Sequence, residues 1–499
     1  MNALESLKQT LHEVHDLQMA QNLLGWDQST NMPVGGALDR SYQMGTLAKL
    51  AHQQFTSDGV GELLEQSKTE TAGMDADSDD ACLVKVAAKD YERSRRVPDR
   101  WIEKFVQVTS NAQTVWEKAK AESDFASFEP HLKEIYELRK EYSEFFKPYE
   151  HIYDPLLDEF EPGLKTAEVQ AIFDGIRPRQ VALIEAIKAA KPVQDDFLYV
   201  NYPKDAQWQF GLKVITKLGF NFDRGRQDIS VHPFTTSFGW GDVRITTRID
   251  ENYLPTALFG SIHECGHAMY EQNISSSLRR TLLCDGASMA IHESQSRLWE
   301  NLVGRSYPFW SHFYPALKEL FPSQLANIDM PTFYKGINYV KPGMIRVEAD
   351  EATYNLHIML RMEIEIGVLE GRYAVKDLPQ IWNEKMTSYL GITPKNDAEG
   401  VLQDVHWSGG MMGYFPTYAL GNIISAQIWE KINQELPDLE AMIGQGNFQP
   451  LLAWLSEKIY RHGSKFEPKE LIAKVTGSGI EATPYINYLE NKYKDIYNL

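Results

Sequence analysis

Two histidines four residues apart constrain this chain more than any other feature. They stand in Ser261-Ile262-His263-Glu264-Cys265-Gly266-His267-Ala268. On a helix that spacing is about one turn, so both imidazoles leave the same face. Such a pair binds one zinc ion, and the intervening Glu264 is placed to take a proton from water held there. Pro255 is a good first residue for that helix. The pattern also arises by chance in roughly a few chains per hundred of this length, so its surroundings must decide.

A catalytic zinc takes three protein ligands and keeps a fourth position open. The third ligand is expected from a following helix, and Glu293 in His292-Glu293-Ser294-Gln295-Ser296 is the candidate. His292 is the alternative; adjacent helical residues diverge by about 100°, so only one of the two faces the metal. With His263, His267 and Glu293 on zinc, bound water acidifies to a pKa of about 7. Glu264 then takes its proton and passes it to a leaving amine. The oxyanion needs a further donor, and Tyr414 and Tyr418 in Gly413-Tyr414-Phe415-Pro416-Thr417-Tyr418 are the candidates. Cys265 should point away from the imidazoles as a packed small hydrophobe. A structural zinc in a non-catalytic peptide-binding protein would close all four positions with protein ligands, several of them usually thiolates, and would give Glu264 no role.

Among 499 residues, acidic side chains outnumber basic ones by 69 to 50, for a net charge of −19. That balance argues against nucleic-acid or anionic-membrane partners. Three cysteines without metal-site spacing imply a reducing compartment. No apolar run reaches the roughly 18 residues a membrane span needs, and the start lacks a signal-peptide pattern. A cytoplasmic protein is expected.

Leu4, Leu7, Leu11, Val14 and Leu17 predict an amphipathic helix over 2–24, ending near Gly25, with Trp26 to Gly36 as a turn region. Helices follow at about 38–56, 60–70, 80–96, 99–122 and 128–146, the last three delimited by Pro98 and Pro148. Further helices are expected at 166–190 and 205–218. The alternation of β-branched residues over 243–249 predicts one strand, whose edge could receive an extended peptide. Helices at 286–303 and 342–369 complete the catalytic part. The chain reads as one large, mainly α domain over 1–499. Residues 1–215 form a mostly helical N-terminal half and one wall of a groove, and 216–499 form the catalytic half.

Several short motifs occur in order: His232-Pro233-Phe234, Asp242-x-Arg244-x-Thr246, His263-Glu264-x-x-His267, His292-Glu293-Ser294-Gln295, Ile345-Arg346-x-x-Ala349-Asp350 and Gly400-x-x-Gln403-Asp404-x-His406-Trp407. Trp26-Asp27-Gln28 and the stretch from Tyr153-Asp154 to Glu161-Pro162-Gly163 add to them. By these segments the whole chain resembles the carboxypeptidase Taq family of zinc metallocarboxypeptidases. The resemblance implies a helical fold like that of neurolysin and angiotensin-converting enzyme, with a deep groove and one small β-sheet near the metal. It implies one Zn2+ per chain, replaceable by Co2+, a homodimer, and broad removal of C-terminal residues from peptides, with proline disfavoured. An exopeptidase must hold a free α-carboxylate, for which a planar guanidinium is suited. Spacing alone equally allows a helix pair between Arg346 and Asp350; the family motif favours Arg346 on substrate, with Arg244 as second candidate. His406 is expected on the substrate backbone or carboxylate and His232 at the pocket wall. Asp350 and Asp404 are expected to fix an imidazole or guanidinium. A helical zinc endopeptidase or dipeptidase using the same Glu264 chemistry is the nearest competing reading.

Overall fold

The computed structural model describes residues 2–499. The first helix, α1 (Ala3–Thr30), buries Leu4, Leu7, Leu11 and Val14 along one stripe, and the Asn2 side chain accepts the Glu5 N–H at 2.9 Å. It runs past the expected stop at Gly25. A helical glycine costs only about 1 kcal/mol, and the buried Trp26 ring, edge-on to Phe238 with 6.3 Å between centroids, gives the extra turn tertiary support. The expected turn over Trp26-Asp27-Gln28 is therefore helix.

Helices at Ala37–Phe55, Asp58–Thr71, Asp79–Arg96, Asp99–Glu122, Phe125–Glu144, Thr166–Ala189 and Lys204–Leu218 match the sequence periodicity. The acidic run before residue 80 starts a helix, with Ser78 as its cap and Asp79 and Asp80 in its first turn. Acids at that end suit the helix dipole.

Three strands follow: β1 (Gly225–Ile229), β2 (Thr235–Ser237) and β3 (Val243–Thr247). Their order is β1-β3-β2, with β3 parallel to β1 and antiparallel to β2. The strand expected over 243–249 is thus the central one, and neighbours occupy both its edges. It cannot receive a peptide; the edge left over on the cavity side belongs to β2. Short polar strands such as Gly225–Ile229 and Thr235–Ser237 show too few alternations to be read from sequence.

The sheet leans on α2 (Pro255–Gln272), where Thr247 Oγ1 donates to the Ala257 carbonyl at 3.1 Å. The next helix is α3 (Met289–Arg297), which continues as a wider π-helical turn over Leu298–Val303. Residues 342–353 are not helical as expected. A single 3-10 turn, Arg346–Glu348, precedes the buried α4 (Tyr354–Leu369). The cause is Asp350, whose carboxylate accepts the N–H groups of Lys341, Ala352 and Thr353, each at 3.0 Å, and so folds the chain back. The last element of the site is α5 (Pro416–Glu435).

Two glycines bring these helices into contact. A Cβ on Gly266 of α2 would lie 2.7 Å from Ser296 Cα, and one on Gly421 of α5 would lie 2.6 Å from Glu293 Cγ. Only residues without a side chain allow α2 and α5 to press on α3 at that distance. The architecture is mainly α with one three-stranded sheet beside the paired histidines. Among the described residues no helix is long and apolar enough to cross a membrane.

Candidate active site

His263 and His267 of α2 aim their Nε2 atoms at Glu293 of α3, 3.5 and 3.3 Å from its Oε2. The three ligand atoms lie within 4.8 Å of one another. The atoms turned away from this point are all engaged. His263 Nδ1 is 2.9 Å from Glu300 Oε2, and His267 Nδ1 is 2.7 Å from His292 Nδ1, whose Nε2 is 2.7 Å from Glu271 Oε1. Glu293 Oε1 accepts from Arg297 Nε at 2.7 Å, and Ser296 Oγ donates to Oε2 at 2.9 Å. Partners at the far ring nitrogens fix which nitrogen faces inward, as around protein-bound metals. Two nitrogens and one carboxylate oxygen therefore converge with their outer partners in place, a donor set that fits a divalent ion such as zinc. His292 is excluded from that set and instead backs His267.

Burial drives His267 down to about 3, which keeps its ring neutral and its lone pair free. Burial opposes a charge on Glu293 too, but Arg297 and His263 outweigh it and hold the carboxyl well below the usual range. Glu264 points the other way from Cys265, which is fully buried. Its Oε2 accepts from Thr235 Oγ1 of β2 at 2.7 Å, and burial raises the carboxyl above the ordinary carboxylate value.

His263, Glu264, His267 and Glu293 line a cavity of about 540 Å³ between α1 and the motif helices. Tyr414 and Tyr418 line it as well, ring to edge at 5.2 Å. Burial, with Glu293 nearby, pushes Tyr414 up to about 12, so its hydroxyl stays a donor. Tyr418 Oη is 3.2 Å from Nε2 of the buried His406, whose Nδ1 has no partner within the protein. Burial lowers His406 to about 4, leaving it neutral.

Arg346 stacks on Tyr418 with its guanidinium 4.9 Å from the ring centre. It donates from Nε to Asp404 Oδ1 at 2.9 Å and from Nη1 to Tyr354 Oη at 3.0 Å. Arg361 of α4 takes the other oxygen, Nε to Oδ2 at 2.7 Å. Two guanidiniums on one carboxylate leave a net positive charge behind Tyr418 and His406. Asp404 thus sits where a guanidinium-fixing acid was expected, whereas Asp350 serves the turn and forms no pair with Arg346.

None of the four residues expected on the substrate lines the cavity itself: Arg346 and His406 stand behind Tyr418, and the other two lie elsewhere. Arg244 on β3 pairs with Asp242 at 2.9 and 2.8 Å and lies 4.4 Å over the Trp26 ring, outside the cavity lining. It ties α1 to the sheet. His232 is exposed, and only its neighbours Pro233 and Phe234 line the cavity. Sequence reasoning missed Thr235, Arg297, Glu300, Arg361 and Glu271. Arg297 and Glu300 follow Glu293 at four and seven residues, the spacing of one helical face, and that signal was available.

The model of the carboxypeptidase Taq (M32) metallopeptidase family matches residues 6–493. Carboxypeptidase 1 of Bacillus subtilis is 42% identical over 98% of this chain and 97% of its own length. Thermostable carboxypeptidase 1 of Thermus thermophilus is 40% identical over 99% of each. The solved M32 carboxypeptidase of Deinococcus radiodurans superposes with a TM-score of 0.96 at 38% identity, covering all of both chains. Helical architecture, convergent ligand set and match over nearly the full length agree: this chain belongs to the carboxypeptidase Taq (M32) metallopeptidase family and is a metal-dependent peptide hydrolase.

Proposed function

We propose that this chain is a zinc-dependent carboxypeptidase that removes C-terminal residues of varied kind from peptides, with Glu264 as general base. The observation that carries this reading is the Glu264 carboxylate opening on the cavity beside the convergent nitrogens and oxygen of His263, His267 and Glu293. Zinc held by those three side chains would supply Lewis acidity toward the scissile carbonyl and make water nucleophilic at neutral pH. Cobalt suits the same donors.

Thr235 orients Glu264 so that its free lone pairs face the cavity. Glu264 accepts a proton as water adds to the carbonyl carbon, and the same proton goes to the amine nitrogen as the C–N bond breaks. The hydroxyls of Tyr414 and Tyr418 donate to the oxygen that gains charge in the addition. The α-carboxylate is drawn toward the Arg346–Arg361 pair, with the unpartnered Nδ1 of His406 as a further contact. Substrate backbone pairing along the open side of β2 would use the N–H that proline lacks, so cleavage before proline is expected to be poor.

Residues 1–215 and 216–499 act as halves of one domain, because α1 supplies His15, Gln18, Met19 and Asn22 to the cavity wall. The absence of an apolar span and of cysteine spacing for disulfides favours a cytoplasmic enzyme, and its family suggests a homodimer.

Comparing an N-acetylated peptide with its C-terminal amide tests the reading. Release of the terminal residue from the acid and loss of cleavage on amidation are expected. Equal cleavage of both forms would assign the chain to the endopeptidases and remove Arg346 from carboxylate binding.

A further inference from the structure

The chemistry above uses the triad, Glu264 and the tyrosines, and leaves one end of the cavity without a role. Helix α3 serves as a ruler for that cavity. Glu293 sits mid-helix; at the C-terminal end Arg297 lies 4.6 Å over the Tyr354 ring, and Tyr354 meets Arg346. Arg297 is paired with Glu293 and Glu300, and Arg346 stands behind the cavity wall that Tyr418 forms. Before the N-terminal end stands Asp285, and one turn inside it His292 meets Glu271; all three line the cavity. The acidic end of the cavity therefore lies at the opposite end of α3 from Arg346.

Asp285 opens on the cavity with its side chain exposed. Among the described residues it forms no ion pair, and its hydrogen-bond donor is the N–H of its neighbour Gly286 at 2.7 Å. Its charged neighbours are Glu271, His292 and Asp90. The nearby Arg279 leans 5.9 Å over the Trp240 ring instead. An independent feature faces the same space from α1. His15 is only 7% exposed and lines the cavity, and its Nδ1 has no hydrogen-bond partner. The closest acid, Asp16 at 3.6 Å, is engaged by Arg280. Burial keeps this imidazole neutral, able to accept a hydrogen bond.

A peptide whose terminal carboxylate lies toward Arg346 runs its preceding residues toward Asp285. We propose that Asp285 and Glu271, with His15 opposite, form a subsite for a cationic group on the amino-terminal side of the scissile bond. This inference rests on the carboxypeptidase reading above. The cation is an ammonium or guanidinium, supplied either by a lysine or arginine side chain or by the free amino terminus of a short peptide. Two carboxylates and a neutral acceptor complement its donors, whereas an acidic side chain there meets like charge.

The test measures kcat/KM for the metal-loaded full-length protein on N-acetylated alanine pentapeptides. Lys, Ala or Glu replaces each of the two residues before the scissile bond in turn. Lys is expected to exceed Ala, and Ala to exceed Glu, by about tenfold per step at low salt, the size of one partly screened charge contact. The preference should shrink as NaCl rises. In Asp285→Asn the Lys-to-Ala ratio is expected to fall toward one, and Asp285→Ser gives a second reading should the first variant not fold. A second arm compares free and acetylated tripeptides of alanine. A flat lysine scan with faster cleavage of the free tripeptide assigns the subsite to the amino terminus and still supports it. Equal rates across both arms in the wild type, or an unchanged ratio in the folded variants, overturns it. Failure of the wild type to release any C-terminal residue would instead refute the carboxypeptidase reading.

Discussion

The metal-ligand side of the cavity and the charge cluster behind its Tyr418 wall, proposed above to hold the substrate carboxylate, are built in different ways. His263, Glu264, His267, Glu293, Arg297 and Glu300 come from α2, from α3 and from its π-helical continuation, within forty residues of sequence, pressed together at Gly266 and Gly421. Arg346, Arg361, Asp404, His406 and Tyr418 come from a 3-10 turn, α4, an irregular loop and α5, and are joined by buried ion pairs. A ligand set tolerates errors of only about 0.5 Å, which regular helices meet best. A charged terminus can be held by a charge cluster assembled from distant segments, because the attraction falls off slowly with distance. On the proposed reading, the chemistry therefore sits on two helices close in sequence, whereas recognition draws on helices, a turn and a loop that are far apart in it.

If that division holds, variants on the metal side should remove turnover or metal, and variants at the other end should remove stability or substrate affinity. The largest expected effect is that of Glu264→Gln: a loss of about 10²–10⁴ in kcat, with metal content retained by elemental analysis. Full activity in a metal-replete Glu264→Gln protein would end the general-base assignment. Next comes Asp404→Asn, which leaves Arg346 and Arg361 facing each other without their shared carboxylate. Removing one partner from a buried charge cluster costs about 3–5 kcal/mol, readable as a lowered urea midpoint. An unchanged midpoint would mean that water already screens this cluster, and the contrast between the two ends would weaken. Smaller again is Glu300→Gln, which loosens the hold on His263 Nδ1. Zinc affinity in a chelator competition should fall about 10–100-fold. No change in affinity would show that helix packing alone orients the imidazole.

The same contrast explains what was legible in the sequence. On the metal side a period of 3.6 residues carries the information, so His263 and His267 can be placed together from spacing, the third ligand is narrowed to Glu293 or His292 on the next helix, and Arg297 and Glu300 share the face of Glu293. On the other side nothing local links Arg361 to Asp404, forty-three residues apart. Arg346 and His406 were reached only through motif resemblance. The helix expected over 342–353 is a turn because three backbone N–H groups converge on Asp350, a competition that a periodicity cannot register. Arg244 and His232 share motifs with the site but serve the sheet and an exposed loop. A motif marks a neighbourhood and leaves each side chain's direction open. The strand Val243–Thr247 was legible and its place in the sheet was not, since a central position depends on two polar partners without a signal of their own.

The last expected effect, the smallest per step of its titration, concerns how the loop that ends in Tyr414 is held. Glu365 of α4 is buried and accepts three hydrogen bonds, from Tyr153 Oη at 2.6 Å, Trp407 Nε1 at 2.8 Å and the Gly413 N–H at 3.1 Å. Burial outweighs these donors and raises the carboxyl to about 7. Because the folded value lies above the unfolded one, the folded state binds the proton more tightly. The resulting stability is complete below about pH 4.5, declines as pH rises through the interval to about 7, and is gone above it. The slope of one such group is at most about 1.4 kcal/mol per pH unit. Glu365→Gln removes the ionisation, so the difference in unfolding free energy between wild type and variant should drift by up to that amount per unit from pH 4.5 to 7, against the wild type, and flatten beyond. Urea titrations at half-unit steps measure it. A pH-independent difference would mean that the three donors stabilise the carboxylate as well as water does. The tyrosine loop would then be anchored as rigidly as the helices of the metal side, and the division between the two ends would lie in sequence separation alone.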